Sequence, residues 1–127
     1  MKSKGNRTER ELFHMFFNAG MIAVRAAGSG STPLPSPDLV VGGNGKYYAI
    51  ECKATKVPYK YFDQAELTQL ETFANTFGAI PLIALRFDRE EWLFIKSSDL
   101  EKTKNGNFGI SLKNAKIKGI TFSDLVR

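Results

Sequence analysis

The stretch that decides the fold is PDLVVGGNGKYYAIECKAT, residues 37–55. At its centre lies Asn44-Gly45, a dipeptide typical of the two-residue turns that join antiparallel strands. Apolar residues 39–41 precede the turn, and a run of mostly apolar and aromatic residues follows it. The pattern predicts a β-hairpin with strands over 38–41 and 46–54.

Three charged residues interrupt this apolar hairpin. Asp38 opens the first predicted strand, and Glu51 and Lys53 lie within the second. Residues two apart in a strand share a face, so Glu51 and Lys53 point one way, while Ile50 and Cys52 point the other. The turn folds the strands together and brings Asp38 toward Glu51. Because charges are costly to bury unless paired or metal-bound, the cluster needs an explanation.

A divalent-metal site explains the cluster. Two carboxylates on neighbouring strands can hold Mg²⁺, which prefers oxygen ligands and keeps several waters. Such a metal can activate water and stabilise charge on a phosphate. Lys53 can orient or activate that water, or neutralise the phosphate, and the sequence does not choose among these roles. The alternative is a simple salt bridge of Lys53 on a solvated strand face, and Glu51-x-Lys53 alone would favour it. Asp38, Glu51 and Lys53 together, in a basic chain, favour a nuclease site.

The flanking sequence predicts further helices and strands. Upstream we expect a helix over about 6–19, a strand over 21–27 and a Gly/Ser/Thr/Pro loop over 28–37. Downstream we expect a helix over 63–77, strands over 80–87 and 92–95, and weaker elements near 98, near 110 and from 121. This order predicts a single domain, residues 1–127, of the α/β class, with a mixed central β-sheet flanked by helices.

Glu9 adds a third carboxylate. It precedes Leu12, Phe13 and Phe16 by three, four and seven residues, so it lies on or near the buried side of its helix. A carboxylate there points at a partner, and a metal site is one candidate. An acidic residue in a first helical turn, near the positive end of the helix dipole, is the other.

Composition narrows the class of protein. The net charge of +5 and pI of about 9.4 favour an anionic partner, most commonly nucleic acid. The single cysteine and single histidine exclude an intrachain disulfide and a Cys/His zinc site. Cys52 is interpreted as a buried apolar thiol, and His14 as a packed or solvated side chain. No apolar run approaches the ~20 residues of a membrane span, so we expect a soluble intracellular protein.

Several motifs together resemble one nuclease family. They are KGNRTERELF at 4–13, VRAAGS at 24–29, PDLVVGGNGKYYAIECKATK at 37–56, FANTFGAIPLIALRF at 73–87 and WLFI at 92–95. In this order they resemble the archaeal Holliday junction resolvases, dimeric members of the restriction-endonuclease-like nucleases. The resemblance implies a homodimer that resolves four-way DNA junctions by paired, symmetric, metal-dependent hydrolysis. It also implies Mg²⁺, with Mn²⁺ as a substitute, no nucleotide cofactor, no membrane, and an archaeal cytoplasmic, nucleoid-associated location.

The resemblance also implies roles for individual residues. The catalytic and metal-binding set would be Glu9, Asp38 and Glu51 as metal ligands, Lys53 as the catalytic lysine, and a loop hydroxyl from Ser29 or Ser31. The DNA-contacting set would be Arg10, Arg25, Gly28, Ser29, Ser31, Gln64 and Arg86. Phe73 and Phe77 would lie in the dimer interface, although aromatic residues four apart on a helix also fit a core.

Two other functions remain open from sequence. A nuclease of the same fold that acts on linear or damaged duplex DNA would have the same site. A catalytically inactive DNA-binding protein is the second alternative, and the intact Asp38, Glu51 and Lys53 count against it.

A two-fold homodimer would supply two sites related by the symmetry of the junction, because each site cuts one strand.

Overall fold

The computed structural model describes residues 2–26 and 35–127, with side chains in the first helix from Arg7 onward. The helices, in chain order, are α1 (Lys2–Asn18), α2 (Gln64–Phe77), α3 (Leu112–Lys118) and α4 (Phe122–Val126), with a 3₁₀ turn at Ser97–Asp99. The strands are β1 (Ile22–Arg25), β2 (Leu39–Gly43), β3 (Lys46–Thr55), β4 (Tyr59–Phe62), β5 (Ile80–Phe87), β6 (Leu93–Ile95), β7 (Glu101–Lys102), β8 (Phe108–Ser111) and β9 (Ile120–Thr121).

The main sheet has six strands in the order β1-β2-β3-β5-β6-β9. Only β3 and β5 pair in parallel, through the crossover that contains α2, and the other neighbours are antiparallel. A second sheet has the order β4-β8-β7. The predicted α/β class with a mixed central sheet and flanking helices is confirmed.

The hairpin forms as the sequence predicts. Asn44 has φ 55° and Gly45 has φ 77°, and a type I′ turn requires positive φ at both central positions. The register pairs Gly43 with Lys46 and Leu39 with Ile50. Asp38 immediately precedes the Leu39–Ile50 pair that ends this register, and Glu51 immediately follows that pair on β3, so the hairpin brings the two residues to the same end of β2.

Two hydrophobic cores cover the two faces of the sheet. Leu12 and Phe16 of α1 pack with Ile50 in one core. Leu70 of α2 packs with Ala49 in the other. Because side chains alternate along β3, Ile50 and Cys52 face α1, whereas Glu51 and Lys53 lie on the face covered by α2.

Some elements differ from the sequence prediction. Helix α1 begins at Lys2 rather than near residue 6, and strands β4, β7 and β9 and helix α3 were not predicted. Strand β4 is four residues long and follows a proline, while β7 and β9 have two residues each, too few for an alternating pattern to show. Helix α3 buries only Ala115, so it carries no apolar stripe. Within the described ranges, no helix is long and apolar enough to cross a membrane.

Candidate active site

Asp38 is held in place by the backbone of β3. Its amide N–H donates to the carbonyl of Ile50 at 3.0 Å, and its Oδ2 accepts from the amide of Cys52 at 2.8 Å. The carboxylate is thereby fixed at the start of β2 with its second oxygen, Oδ1, left for another ligand. A residue whose backbone and side chain are each tied to the neighbouring strand by a hydrogen bond is well suited to hold a metal.

Glu51 and Lys53 project together from β3, as predicted. Lys53 Nζ lies 3.8 Å from Glu51 Oε2, and the two side chains are 27% and 24% exposed. The ammonium is closer to a residue that the sequence did not single out, Glu66 in the first turn of α2, with Nζ 2.8 Å from Glu66 Oε1. Lys53 therefore does form a salt bridge, as the alternative proposed. Its nearest partner, however, is Glu66 and not Asp38 or Glu51.

Glu9 and Arg25 form an ion pair at the α1 side of the cluster. Arg25 Nε lies 3.4 Å from Glu9 Oε2, and the Glu9 side chain is only 15% exposed. This pair gives Arg25 the anionic partner that an arginine in an apolar strand needs. Because α1 begins at Lys2, Glu9 lies well beyond the first turn, and the helix-dipole explanation of Glu9 is wrong.

Burial raises the pKa values of all three carboxyl groups, and neighbouring carboxylate charges add to the effect. Burial and the neighbouring Asp38 charge raise the pKa of Glu51 from 4.5 to about 8, although Lys53 opposes this. Burial, then the Asp38 charge, raises the pKa of Glu9 despite its pairing with Arg25. Burial also raises the pKa of Asp38, against the hydrogen bond from Cys52. The cluster has more negative charge than its own cations neutralise, which is the electrostatic condition that favours a divalent cation.

The surroundings of Lys53 favour its charged form, whereas those of the three carboxyl groups disfavour theirs. Burial lowers the pKa of Lys53, but the hydrogen bond and charge of Glu66, together with the charges of Glu51 and Asp38, outweigh burial and raise it. Lys53 is therefore an ammonium at neutral pH. A fixed cation beside two carboxylates suits stabilisation of a phosphate better than proton abstraction.

The carboxylates of this cluster suit Mg²⁺ in a site where water and substrate complete the coordination. Across residues 2–26 and 35–127, no three Asp, Glu, His or Cys side chains converge into a ready-made metal cage. Mg²⁺ does not require one, since one or two carboxylates, waters and substrate phosphates are its usual ligands. Asp38 and Glu51 can provide such carboxylates, and Glu9 is held by Arg25 near them.

The single cysteine and histidine do not supply nucleophiles. Cys52 packs against the core on the α1 face. Burial raises the pKa of its thiol well above the ordinary value, so the reactive thiolate is disfavoured. His14 is exposed on α1, with its ring edge-on to Phe13 at 5.3 Å.

The predicted DNA-contacting residues have different surroundings. Arg10 and Gln64 are exposed, on α1 and at the first residue of α2. Arg86 is occupied by its own protein: Nη1 lies 2.6 Å from Glu11 Oε2, Nε donates to the Glu90 carbonyl at 2.9 Å, and the guanidinium lies over Trp92. Gly28, Ser29 and Ser31 fall outside the described residues.

Phe73 and Phe77 form a stacked pair on the outer side of α2. Their ring centroids are 5.1 Å apart, and Phe77 is 56% exposed while Phe73 is half-buried. With Pro35, Thr72 and Thr76 they line an open depression of about 430 Å³. Phe77 is therefore a surface residue, and its ring is accessible for the predicted contact in a dimer interface.

Sequence reasoning missed Glu66. Its signal was the pattern Asp63-x-x-Glu66 before an apolar run, which is a helix capping box. The box is present, with the Glu66 amide donating to Asp63 Oδ1 at 2.9 Å and the Asp63 amide donating to Glu66 Oε2 at 3.4 Å. The motif locates the start of α2, but it does not indicate that the same carboxylate reaches Lys53.

A mixed sheet whose hairpin presents paired carboxylates and a lysine between two helices places the protein among the restriction-endonuclease-like nucleases. Comparison with known proteins makes the assignment specific. The family model described as archaeal Holliday junction resolvase (Hjc) matches residues 1–127. The chain belongs to this family, whose activity is that of a crossover junction endonuclease.

Individual relatives agree with the family assignment. The crossover junction endodeoxyribonuclease Hjc of Archaeoglobus fulgidus is 46% identical over 110 residues, 87% of this chain and 80% of the relative. The enzyme Hje of Saccharolobus islandicus is 30% identical over 84% of this chain and 83% of the relative. A solved structure of Archaeoglobus fulgidus Hjc superposes with a TM-score of 0.88 at 37% identity, over 96% of this chain and 99% of that one.

Proposed function

We propose that the protein resolves four-way DNA junctions by Mg²⁺-dependent hydrolysis of one phosphodiester in each of two symmetric strands. Asp38 and Glu51 are the principal metal ligands, Glu9 is the third acidic residue and Lys53 is the catalytic cation. The observation that carries the proposal is the Asp38 carboxylate, fixed by the Cys52 amide close to Glu51, whose pKa burial and the Asp38 charge raise to about 8. Mn²⁺ is expected to substitute for Mg²⁺.

The site residues divide the chemistry among them. Bound Mg²⁺ would supply an activated water and neutralise charge that develops on the scissile phosphate. Asp38, fixed by the hydrogen bond from the Cys52 amide, and Glu51 would hold the metal. Lys53 stands beside the phosphate and stabilises its additional negative charge, without needing to lose its proton.

DNA binding is proposed to depend on phosphate contacts. The net charge of +5 suits an electrostatic, salt-dependent interaction with little base readout. Arg10, which is exposed on α1 and adjacent in sequence to Glu9, is proposed to contact the DNA backbone. Ser29 or Ser31, which the sequence predicts to lie in a loop, is proposed to contribute a hydroxyl.

We further propose a homodimer that uses the Phe73–Phe77 pair. Two sites related by a two-fold axis match a junction whose two cut strands are related by the same symmetry. Stacked, exposed aromatic side chains are enriched in such interfaces. The proposed location is the archaeal cytoplasm, at the nucleoid.

The test is cleavage of an end-labelled four-way junction, with linear duplexes of the same arms as substrates for comparison. Wild-type protein is assayed with Mg²⁺ and with EDTA. Glu51→Ala is compared with Glu91→Ala, which changes an exposed glutamate remote in sequence from the cluster. Paired symmetric nicks in the junction alone, lost with EDTA and Glu51→Ala but kept in Glu91→Ala, are expected.

Two other results would contradict the proposal. Equal cutting of linear duplex would indicate a restriction or repair endonuclease that uses the same site. Junction binding without cutting in any metal would indicate an inactive DNA-binding protein.

A further inference from the structure

The Lys53 ammonium has two carboxylate neighbours at unequal distances. Glu66 Oε1 lies 2.8 Å from Nζ, whereas Glu51 Oε2 lies 3.8 Å away. Glu66 Oε1 is buried. In the described part of the chain, its ion pair is with the Lys53 ammonium. The nearest partner of the catalytic lysine is therefore a residue of α2, and not a proposed metal ligand.

Glu66 is itself fixed. Its Oε2 accepts from the Asp63 amide at 3.4 Å, and its own amide donates to Asp63 Oδ1 at 2.9 Å. Leu67, the next residue, and Leu70, one turn farther along, bury the helix against the sheet. One oxygen of Glu66 thus closes the capping box and the other faces Lys53, so a packed helix determines where the ammonium lies.

We propose that Glu66 is a positioning residue that holds the Lys53 ammonium at the reacting phosphate and keeps it off Glu51. Lysine is a flexible chain that ends in a compact charge. Without Glu66, the nearest remaining carboxylate oxygen is Glu51 Oε2, 3.8 Å away, and the ammonium would move onto it. There it would compete with the metal for the same ligand and leave the phosphate. This inference rests on the proposed function of Glu51 and Lys53.

Two substitutions separate positioning from helix capping. Glu66→Gln keeps a side chain that capping boxes accept, but it removes the charge and leaves one oxygen to serve two donors. Asp63→Ala removes the cap acceptor, while it leaves the Glu66 carboxylate and the residue 63 amide that binds it. The first variant changes the environment of Lys53, and the second changes the stability of the helix end.

The measurements are Mn²⁺ binding to DNA-free protein, junction affinity in Ca²⁺, thermal melting, and cleavage rate in Mg²⁺ at saturating enzyme. For Glu66→Gln we expect Mn²⁺ affinity and cleavage rate to fall about 10- to 100-fold, the usual effect of losing a group that orients a metal site. Junction affinity should stay within about twofold, so the loss is in kcat rather than in binding. Asp63→Ala should melt at a lower temperature and cleave within about threefold of wild type.

Several results would overturn the inference. Wild-type Mn²⁺ affinity or cleavage rate in Glu66→Gln would do so, as would an equal loss of cleavage in Asp63→Ala. Failure of the proposed function is recognised separately, because wild-type protein would then not cut, or Glu51→Ala would still cut. The Mn²⁺ titration decides the role of Glu66 in that case too, since it requires no cleavage.

Discussion

Replacing Glu51 by glutamine should stabilise the metal-free protein while it abolishes cleavage. The Glu51 carboxylate lies among Asp38, Glu66 and Glu9, and burial together with the Asp38 charge raises its pKa to about 8. The folded protein therefore resists ionisation of Glu51, and the unfolded chain does not. Glutamine has almost the same shape and carries no charge, so it removes the repulsion.

The direction and size of the stability change follow from the pKa of Glu51 in the unfolded chain and its pKa in the folded protein. Below 4.5 the carboxyl is protonated in both states, and its contribution to stability is lost as the pH rises from 4.5 to about 8. At about 1.36 kcal/mol per pH unit, this interval amounts to an upper value of about 5 kcal/mol. Burial of the amide offsets part of it. We expect Glu51→Gln to raise the free energy of unfolding by about 2–3 kcal/mol at pH 9, and by less than about 1 kcal/mol at pH 5.

Guanidinium unfolding in EDTA at pH 5, 7 and 9, at one protein concentration, measures this difference. Glu91→Gln is the control, because Glu91 is exposed and its replacement should change stability by less than about 0.5 kcal/mol at each pH. The reasoning is refuted if Glu51→Gln is no more stable than wild type at pH 9, or if its gain is the same at pH 5.

Three further predictions concern the metal, the DNA and the dimer. Mg²⁺ affinity measured by calorimetry should increase from pH 6 to pH 8 and then level off, because bound metal displaces the Glu51 proton. Arg10→Ala should reduce the salt dependence of junction binding by about one phosphate contact without changing the melting temperature. Arg86→Ala should instead lower the melting temperature, since it loses intramolecular contacts. Phe77→Asp should weaken self-association in sedimentation, whereas Ile117→Asp, at an equally exposed apolar position on α3, should not.

Each of these has a contradicting result. A pH-independent Mg²⁺ affinity would mean that no carboxyl proton is displaced. An unchanged salt slope for Arg10→Ala would remove Arg10 from the DNA interface. Equal self-association of the Phe77→Asp variant and wild type would place the dimer surface elsewhere.

The hairpin and its charged residues could be predicted because both depend on local rules. Asn44-Gly45 specifies a tight turn through its backbone conformation, and alternation along the strand then fixes the faces of Glu51 and Lys53. The need of Arg25 for an anionic partner could also be predicted, because a cation in an apolar strand needs an anion, although the sequence did not identify Glu9 as that partner. These features require no knowledge of how distant segments pack.

The partner of Lys53 could not be predicted in this way. Asp63-x-x-Glu66 indicates a helix start, but the approach of Glu66 to Lys53 depends on how α2 crosses the sheet. Arg86 likewise carries no sequence signal that it binds Glu11 and stacks on Trp92. The single-domain organisation and the roles of the residues in the 28–37 loop stay predictions.

The most direct test of the central claim is the location of Mn²⁺ by anomalous diffraction, in crystals of the wild-type protein and of Glu51→Gln. We expect one strong peak about 2.1 Å from carboxylate oxygens of both Asp38 and Glu51, and its loss in the variant. A peak bound elsewhere, or one that persists unchanged in Glu51→Gln, would contradict the assignment of this pair as the metal-binding centre of the nuclease.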